Sequence, residues 1–188
     1  MQNTKNRRLV ETAIMLGLAT VLSMIKIFEW PTGGSMTAFS MLPVIVIAYR
    51  YGFRWGLLSG MTYGVLQLLT GLKSLSGVSV ITFIGAVFLD YLLAFGACSL
   101  GGLFRSVKNQ SVGMVLGALA ACVCRFIFHY VAGILLWGAY ADGAPVWIYS
   151  LTYNGVYMSV ETIMTVVGAF LLCLFLNFRS ADITKRAE

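Results

Sequence analysis

Five ionisable side chains interrupt otherwise apolar stretches of this sequence: Lys26, Asp90, Arg125, His129 and Glu161. At the centre of a bilayer a charge costs at least about 2.5–3.5 kcal/mol on insertion scales, so each is a functional candidate by default. Each also has a plainer structural reading. Arg125 and Glu161 fall near the middle of consecutive apolar segments and can neutralise one another. Lys26 stands near the end of the first segment, where its long stem lets the ammonium reach the interface or Glu29. His129 belongs to a pattern: Arg125, His129, Gly133 and Trp137 recur every fourth position, so one helix would carry them as a gently drifting ridge.

The next segment brings Tyr149, Tyr153, Asn154 and Tyr157, with Glu161 two turns beyond Asn154, and an earlier one brings Asp90 and Tyr91. A carboxylate, an imidazole, an amide and several rings converging on one cavity suit a small heteroaromatic ligand, and a cationic one best. Cation–π contact is worth about 2 kcal/mol or more when desolvated. The competing reading is an interfacial aromatic belt plus polar contacts between helices. It accounts for Trp147 and Tyr140 better than for the deeper Asp90, His129 and Asn154.

Other chemistries find no support. A single histidine excludes a His-rich metal site, and no metal-ligand spacing occurs. Cys98, Cys122, Cys124 and Cys173 all lie in apolar runs and read as packing residues rather than a disulfide framework. There is no Ser-His-Asp spacing, no H-E-x-x-H, no Gly-rich phosphate loop and no arginine cluster, and no cofactor is implied. The net charge of +6 is scattered between apolar runs, unlike the clustered footprint of a nucleic-acid binder.

The elements that position these residues follow from composition. With 59% apolar and 11% charged residues among 188, the chain is far from an ordinary soluble domain. Six spans of about 20 residues would leave only tails and short loops. Apolar stretches at about 9–28, 36–49, 55–71, 78–104, 112–140 and 147–178 predict an all-α, six-helix transmembrane bundle in one integral membrane domain. The first stretch has the basic flank of a signal peptide, but no clean cleavage site, and is read as helix 1. The second is short enough to be re-entrant. Charge argues for a span: Lys5, Arg7, Arg8, Arg50, Arg54, Arg105, Lys108, Arg179, Lys185 and Arg186 fall in one set of loops and tails, and only Lys73 in the alternate set. The positive-inside rule then places both termini in the cytoplasm and requires an even number of spans.

The sequence also carries a resemblance. Glu29-Trp-Pro-Thr-Gly-Gly-Ser-Met-Thr37, Ser40-Met-Leu-Pro43 and Tyr49-Arg-Tyr-Gly-Phe-Arg-Trp-Gly56 resemble the thiamine-specific S-components of energy-coupling-factor vitamin transporters. So do Leu89-Asp-Tyr91, Arg125 to Gly133, Trp137-Gly-Ala-Tyr140 and Tyr149 to Met158, in order along nearly the whole chain. The family has six helices with both termini inside. The resemblance implies a multi-pass cell-membrane protein that holds thiamine in a pocket open to the outside. Asp90 would bond the aminopyrimidine with Tyr91 beside it, and His129 and Trp137 would pack on or bond the rings. Tyr149 and Asn154 would lie near the thiazolium end, and Trp30 would close the site. One departure is visible: Val80 stands where the family has an aromatic.

Ala13-x-x-x-Gly17 is a small-x-x-x-small pattern that admits another helix closely. It serves packing within the bundle or, as the resemblance implies, docking on a shared energy-coupling-factor transmembrane subunit that works with two ATP-binding subunits. Three functions stay open at this level: a thiamine-capture subunit, the same architecture with another heteroaromatic vitamin or precursor, and an intramembrane enzyme using Asp90, His129 and Glu161.

Overall fold

The computed structural model describes residues 2–29, 35–180 and 183–185. Six helices form the bundle. Helix α1 (Gln2–Met24) begins well before the apolar stretch. Its polar first turns are held by Arg7 Nε donating to Glu11 Oε1 at 2.8 Å and by Thr12 Oγ1 donating to the Arg8 carbonyl. The helix ends at Met24, short of the expected residue 28. Lys26–Glu29 instead forms strand β1, antiparallel to β2 (Ser35–Thr37), with Lys26 opposite Thr37. The physical reason is local. Ile25 and Ile27 are stiff at χ1 and favour extended backbone. Trp30 and Pro31–Gly34 lie outside the described residues.

The hairpin also shortens the second helix, expected over 36–49. Helix α2 runs over Leu42–Tyr51, with Pro43 in its first turn, where the missing N–H costs nothing. Phe39, at φ 59°, makes the corner between β2 and α2. Ten helical residues reach only about 15 Å, half the hydrocarbon thickness. Leu42 to Tyr49 are all buried, so α2 is the centre of the bundle rather than a lipid-facing span.

Helix α3 (Phe53–Gly71) follows directly through Gly52 at φ 89°. Along α3, Gly56, Gly60 and Gly64 let other backbones approach: an added Cβ would come within 2.5 Å of Ala48 Cβ, 2.5 Å of the Phe95 oxygen and 2.6 Å of the Tyr91 oxygen, respectively. Helix α4 (Val80–Phe104) starts at Ser79, whose side chain accepts from the Thr82 amide. It passes through a π-helical stretch at Val87–Leu93 and tightens to 3₁₀ geometry from Ala97. Helix α5 (Gln110–Leu135) is capped by Asn109, and α6 (Val146–Phe175) begins after Pro145. The expected ends at 140 and 178 both come earlier. A 3₁₀ turn at Gly138–Ala141 follows α5, and β3 (Leu176–Asn177) pairs with β4 (Thr184–Lys185) after α6.

Helices α4, α5 and α6 are each long and apolar enough to cross a membrane. The outer surface carries exposed Leu, Ile, Val and Phe along its length, as lipid contact requires and water forbids. The interior holds Tyr49, Tyr63, Ile45, Ile47 and Met114 together with the thiols of Cys98, Cys122 and Cys173. Cys122 is buried and Cys124 only partly so, consistent with opposite sides of one helix.

The two ends of the bundle differ. At one end Arg50 donates to Glu11 and to the Phe178 carbonyl, Gln110 donates to the Leu176 carbonyl, and Arg179 donates to Tyr49 Oη. The beginning of α1, the end of α2, the start of α5 and the last described residues therefore meet there. A cavity occupies the other end.

Candidate functional site: a polar cavity walled by rings

The cavity has a volume of about 500 Å³ and is lined by residues of the hairpin and of every helix except α2. That size lies within the usual range for small-ligand sites. Helix α4 supplies Asp90, Tyr91 and Phe95. Asp90 and Tyr91 sit in the π-helical stretch, a feature frequent at functional sites, and both reach the cavity. The Tyr91 hydroxyl lies against Gly71, where an added Cβ would stand only 2.7 Å from it.

Asp90 is the focus. Trp137 Nε1 donates to its Oδ2 at 2.9 Å, and His129 Nδ1 lies 2.8 Å from its Oδ1. A carboxylate has about four acceptor positions, so two remain for a ligand. The Arg125–His129–Gly133 ridge exists as the spacing implies and lines the cavity. Trp137 does not continue it, because α5 ends at Leu135. The indole reaches Asp90 from the linker that begins the 3₁₀ turn.

Below His129 the expected ion pair is present. Arg125 donates to Glu161 Oε2 at 2.7 Å, with both side chains at most 9% exposed. The second Glu161 oxygen accepts from the Thr37 amide at 3.0 Å and from Thr37 Oγ1 at 2.7 Å. Thr37 Oγ1 and Ser40 Oγ are also 2.7 Å apart. Met36 packs on Tyr157 and Met158, so the hairpin is fastened to α6 by both a polar hook and an apolar contact.

Helix α6 forms the aromatic wall. Tyr149 and Tyr153 stack at 5.6 Å, Tyr153 meets Tyr157 edge-on at 5.9 Å, and Tyr157 meets His129 at 6.0 Å. Asn154 lies behind these rings: its amide donates to the Ser150 and His129 carbonyls, and its oxygen accepts from Tyr157 Oη at 2.9 Å. Gly133 makes this possible, since a Cβ there would meet Ser150 Oγ at 2.1 Å.

The structure thus brings together Asp90, Tyr91, His129, Trp137, Tyr149 and Asn154 around one space. Trp30 lies outside the described residues. Val80 is 75% exposed and stands away from the cavity wall. Lys26 lines the cavity from the hairpin rather than ending a helix, and the expected contact with Glu29 lies outside the described side chains. Ala13 and Gly17 are on an exposed face of α1, and a Cβ on Gly17 would meet nothing within 4 Å.

Wall residues that the sequence reading did not single out include Ser23, Gln67, Thr70 and Ser74, and Thr37 and Ser40 entered it only within longer motifs. Gln67 Nε2 donates to Ser23 Oγ at 2.8 Å, joining α3 to α1. Their signal was present as uncharged polar side chains within apolar stretches. A search keyed to formal charge passes over them.

The family described as Thiamine transporter protein (Thia_YuaJ) matches residues 9–179. The chain is 34% identical over 181 residues to "Thiamine transporter ThiT" of Bacillus subtilis (strain 168), covering 89% of this chain and 88% of that protein. It is 30% identical over 176 residues to "Thiamine transporter ThiT" of Lacticaseibacillus paracasei, covering 85% and 83%. A solved structure of ThiT from Listeria monocytogenes superposes with a TM-score of 0.73 at 28% identity, over 90% of this chain and 94% of that one.

Proposed function

The chain belongs to the thiamine transporter protein family, and from that membership we propose how its cavity serves thiamine capture. It is a thiamine-binding membrane subunit of a transporter. One observation carries the assignment of its site: Asp90, a carboxylate steadied by two donors, faces a ring-walled cavity of vitamin size. Thiamine joins an aminopyrimidine to a permanently cationic thiazolium. Asp90 has free acceptor positions for the amino group and a negative charge for the cation. The indole of Trp137, the imidazole of His129 and the tyrosines of α6 supply faces for stacking, while Tyr149 and Asn154 sit at the α6 side of the space. Phe95 is already covered by the Arg125 guanidinium at 4.5 Å, which leaves the opposite wall to the ligand.

In this reading the cavity end faces outward and both termini are cytoplasmic, in a multi-pass protein of the cell membrane. Support comes from the bonded end, where Arg7, Arg50, Arg105 and Arg179 gather with the start of α1 and the residues that follow α6. Release inward is driven by an energy-coupling-factor transmembrane subunit and two ATP-binding subunits, with Ala13 and Gly17 on the docking face. The exposure of both small residues on α1 supports that role over packing inside the bundle. The subunit captures its ligand without transforming it.

Titration of the purified protein with thiamine tests this directly. Quenching of tryptophan fluorescence and a matching calorimetric isotherm are expected at nanomolar to micromolar concentration, with thiamine recovered unchanged. No binding at millimolar thiamine, or recovery of a product, would overturn the assignment.

A further inference from the structure

The single histidine of this chain is held between a cation and an anion. Arg125 Nε lies 3.2 Å from His129 Nε2, and His129 Nδ1 lies 2.8 Å from Asp90 Oδ1. A guanidinium has donors only. The Nε2 atom therefore presents its lone pair to Arg125, and the ring proton sits on Nδ1, from where it is donated to Asp90. Arg125 has one placement open to it: NH1 is bonded to Glu161 Oε2 and to Met41 Sδ, and the guanidinium lies over Phe95.

We propose that Arg125 is a positioning residue for ligand capture: it keeps His129 as the neutral Nδ1–H tautomer, so that the imidazole orients Asp90 without cancelling its charge. This rests on the cavity being the site of a cationic ligand, as argued above. If Nε2 were free, the ring could take a second proton and form an imidazolium–carboxylate pair with Asp90. That pair would leave no net negative charge at Asp90 and would no longer attract a thiazolium. With Arg125 on Nε2, the single ring proton is directed at Asp90 and the carboxylate keeps its charge for the ligand.

The groups facing His129 come from several elements. Asp90 approaches from α4, Arg125 from its own helix, and Tyr157 and the more distant Glu161 from α6. Lys26 of β1 lines the same cavity. Among the described residues, Arg125 is the group bonded to Nε2.

One histidine means one labelled ring, so nitrogen NMR of ¹⁵N-histidine protein in detergent needs no assignment. The ligand-free parent is expected to show a protonated Nδ1 and a bare Nε2 at pH 7. Arg125→Met combined with Glu161→Gln removes one cation and one anion, leaving the formal charge of the cluster unchanged. An amide at position 161 still accepts from Thr37. In this variant the Nδ1–H preference is expected to be lost, with Nε2 carrying a proton in a substantial share of molecules at pH 7, and thiamine binding to weaken about tenfold. An Nε2–H ring or an imidazolium in the parent at pH 7 overturns the proposal, and so does a variant with the parent's spectrum and affinity. The parent spectrum decides the tautomer even where the variant fails to fold. It is read without ligand, so failure of thiamine binding is distinguishable from failure of the tautomer.

Discussion

At the residue scale the site depends on Asp90. Its oxygens each accept one bond from the protein, from His129 and from Trp137. Asp90→Asn keeps the shape but leaves one oxygen for two donors and turns an NH₂ toward one of them. A charged hydrogen bond is worth roughly 1.5–3 kcal/mol, so thiamine affinity is expected to fall about 10- to 150-fold by calorimetry. Trp137→Ala should cost a similar amount through lost stacking and cation–π contact, and through the donor that Asp90 loses. Glu161→Gln is the contrast. Among the described residues, Glu161 bonds Arg125 and Thr37 and no group on the Asp90 side. Breaking a buried pair costs up to about 3–5 kcal/mol, so this change should lower the melting temperature in detergent more than it lowers affinity at neutral pH. Parental affinity in Asp90→Asn alongside lost affinity in Glu161→Gln would move the site to the other carboxylate.

At the element scale the close approach of α3 to its neighbours depends on glycine. A Cβ on Gly60 would stand 2.5 Å from the Phe95 carbonyl, which is backbone and cannot rotate aside. Gly60→Ala is therefore expected to destabilise by about 1–3 kcal/mol, as overpacking does. Gly155→Ala on α6, where a Cβ meets nothing within 4 Å, should be neutral or stabilising by up to about 1 kcal/mol. Thermal unfolding of both in one detergent compares them; equal losses would mean that helix propensity, not packing, sets the effect. Gly56, Gly60 and Gly64 share the four-residue spacing of Ala13 and Gly17, yet the latter pair lies on an exposed face. Spacing shows that a backbone can approach and leaves the partner open. The buried charges and the Arg125–His129–Gly133 ridge were legible because cost and period speak directly. The hairpin was not, because Ile25, Ile27 and Phe28 are as apolar in a strand as in a helix and hydropathy cannot separate short runs of the two. The π-helical stretch around Asp90 has no sequence period of its own, and Trp137 reaches its partner from a linker that no ridge describes.

At the scale of the whole molecule, sidedness and partnership are coupled. Arg7, Arg50, Arg105 and Arg179 lie at one end and the cavity at the other, so the proposed orientation gives an outward-facing site and cytoplasmic termini. Ala144→Cys, on the exposed turn before α6, is expected to react with a membrane-impermeant thiol reagent on intact cells. Ser106→Cys, between α4 and α5, should react only after permeabilisation; the opposite pattern would invert the protein. Both can be read over the native thiols, three of which are buried. Seen from that orientation, α1 presents Ala13 and Gly17 to the membrane rather than to its own bundle. A bulky ring at Gly17 meets no atom of this chain within reach of the new Cβ, so Gly17→Trp should leave folding and thiamine binding at parental levels. A partner helix packed against a glycine, however, would be pushed away by an indole. Uptake of labelled thiamine by cells containing the ATP-driven partners is therefore expected to collapse while binding to membranes persists. Loss of binding and uptake in equal measure would place that face inside the bundle, and parental uptake would place the docking surface elsewhere.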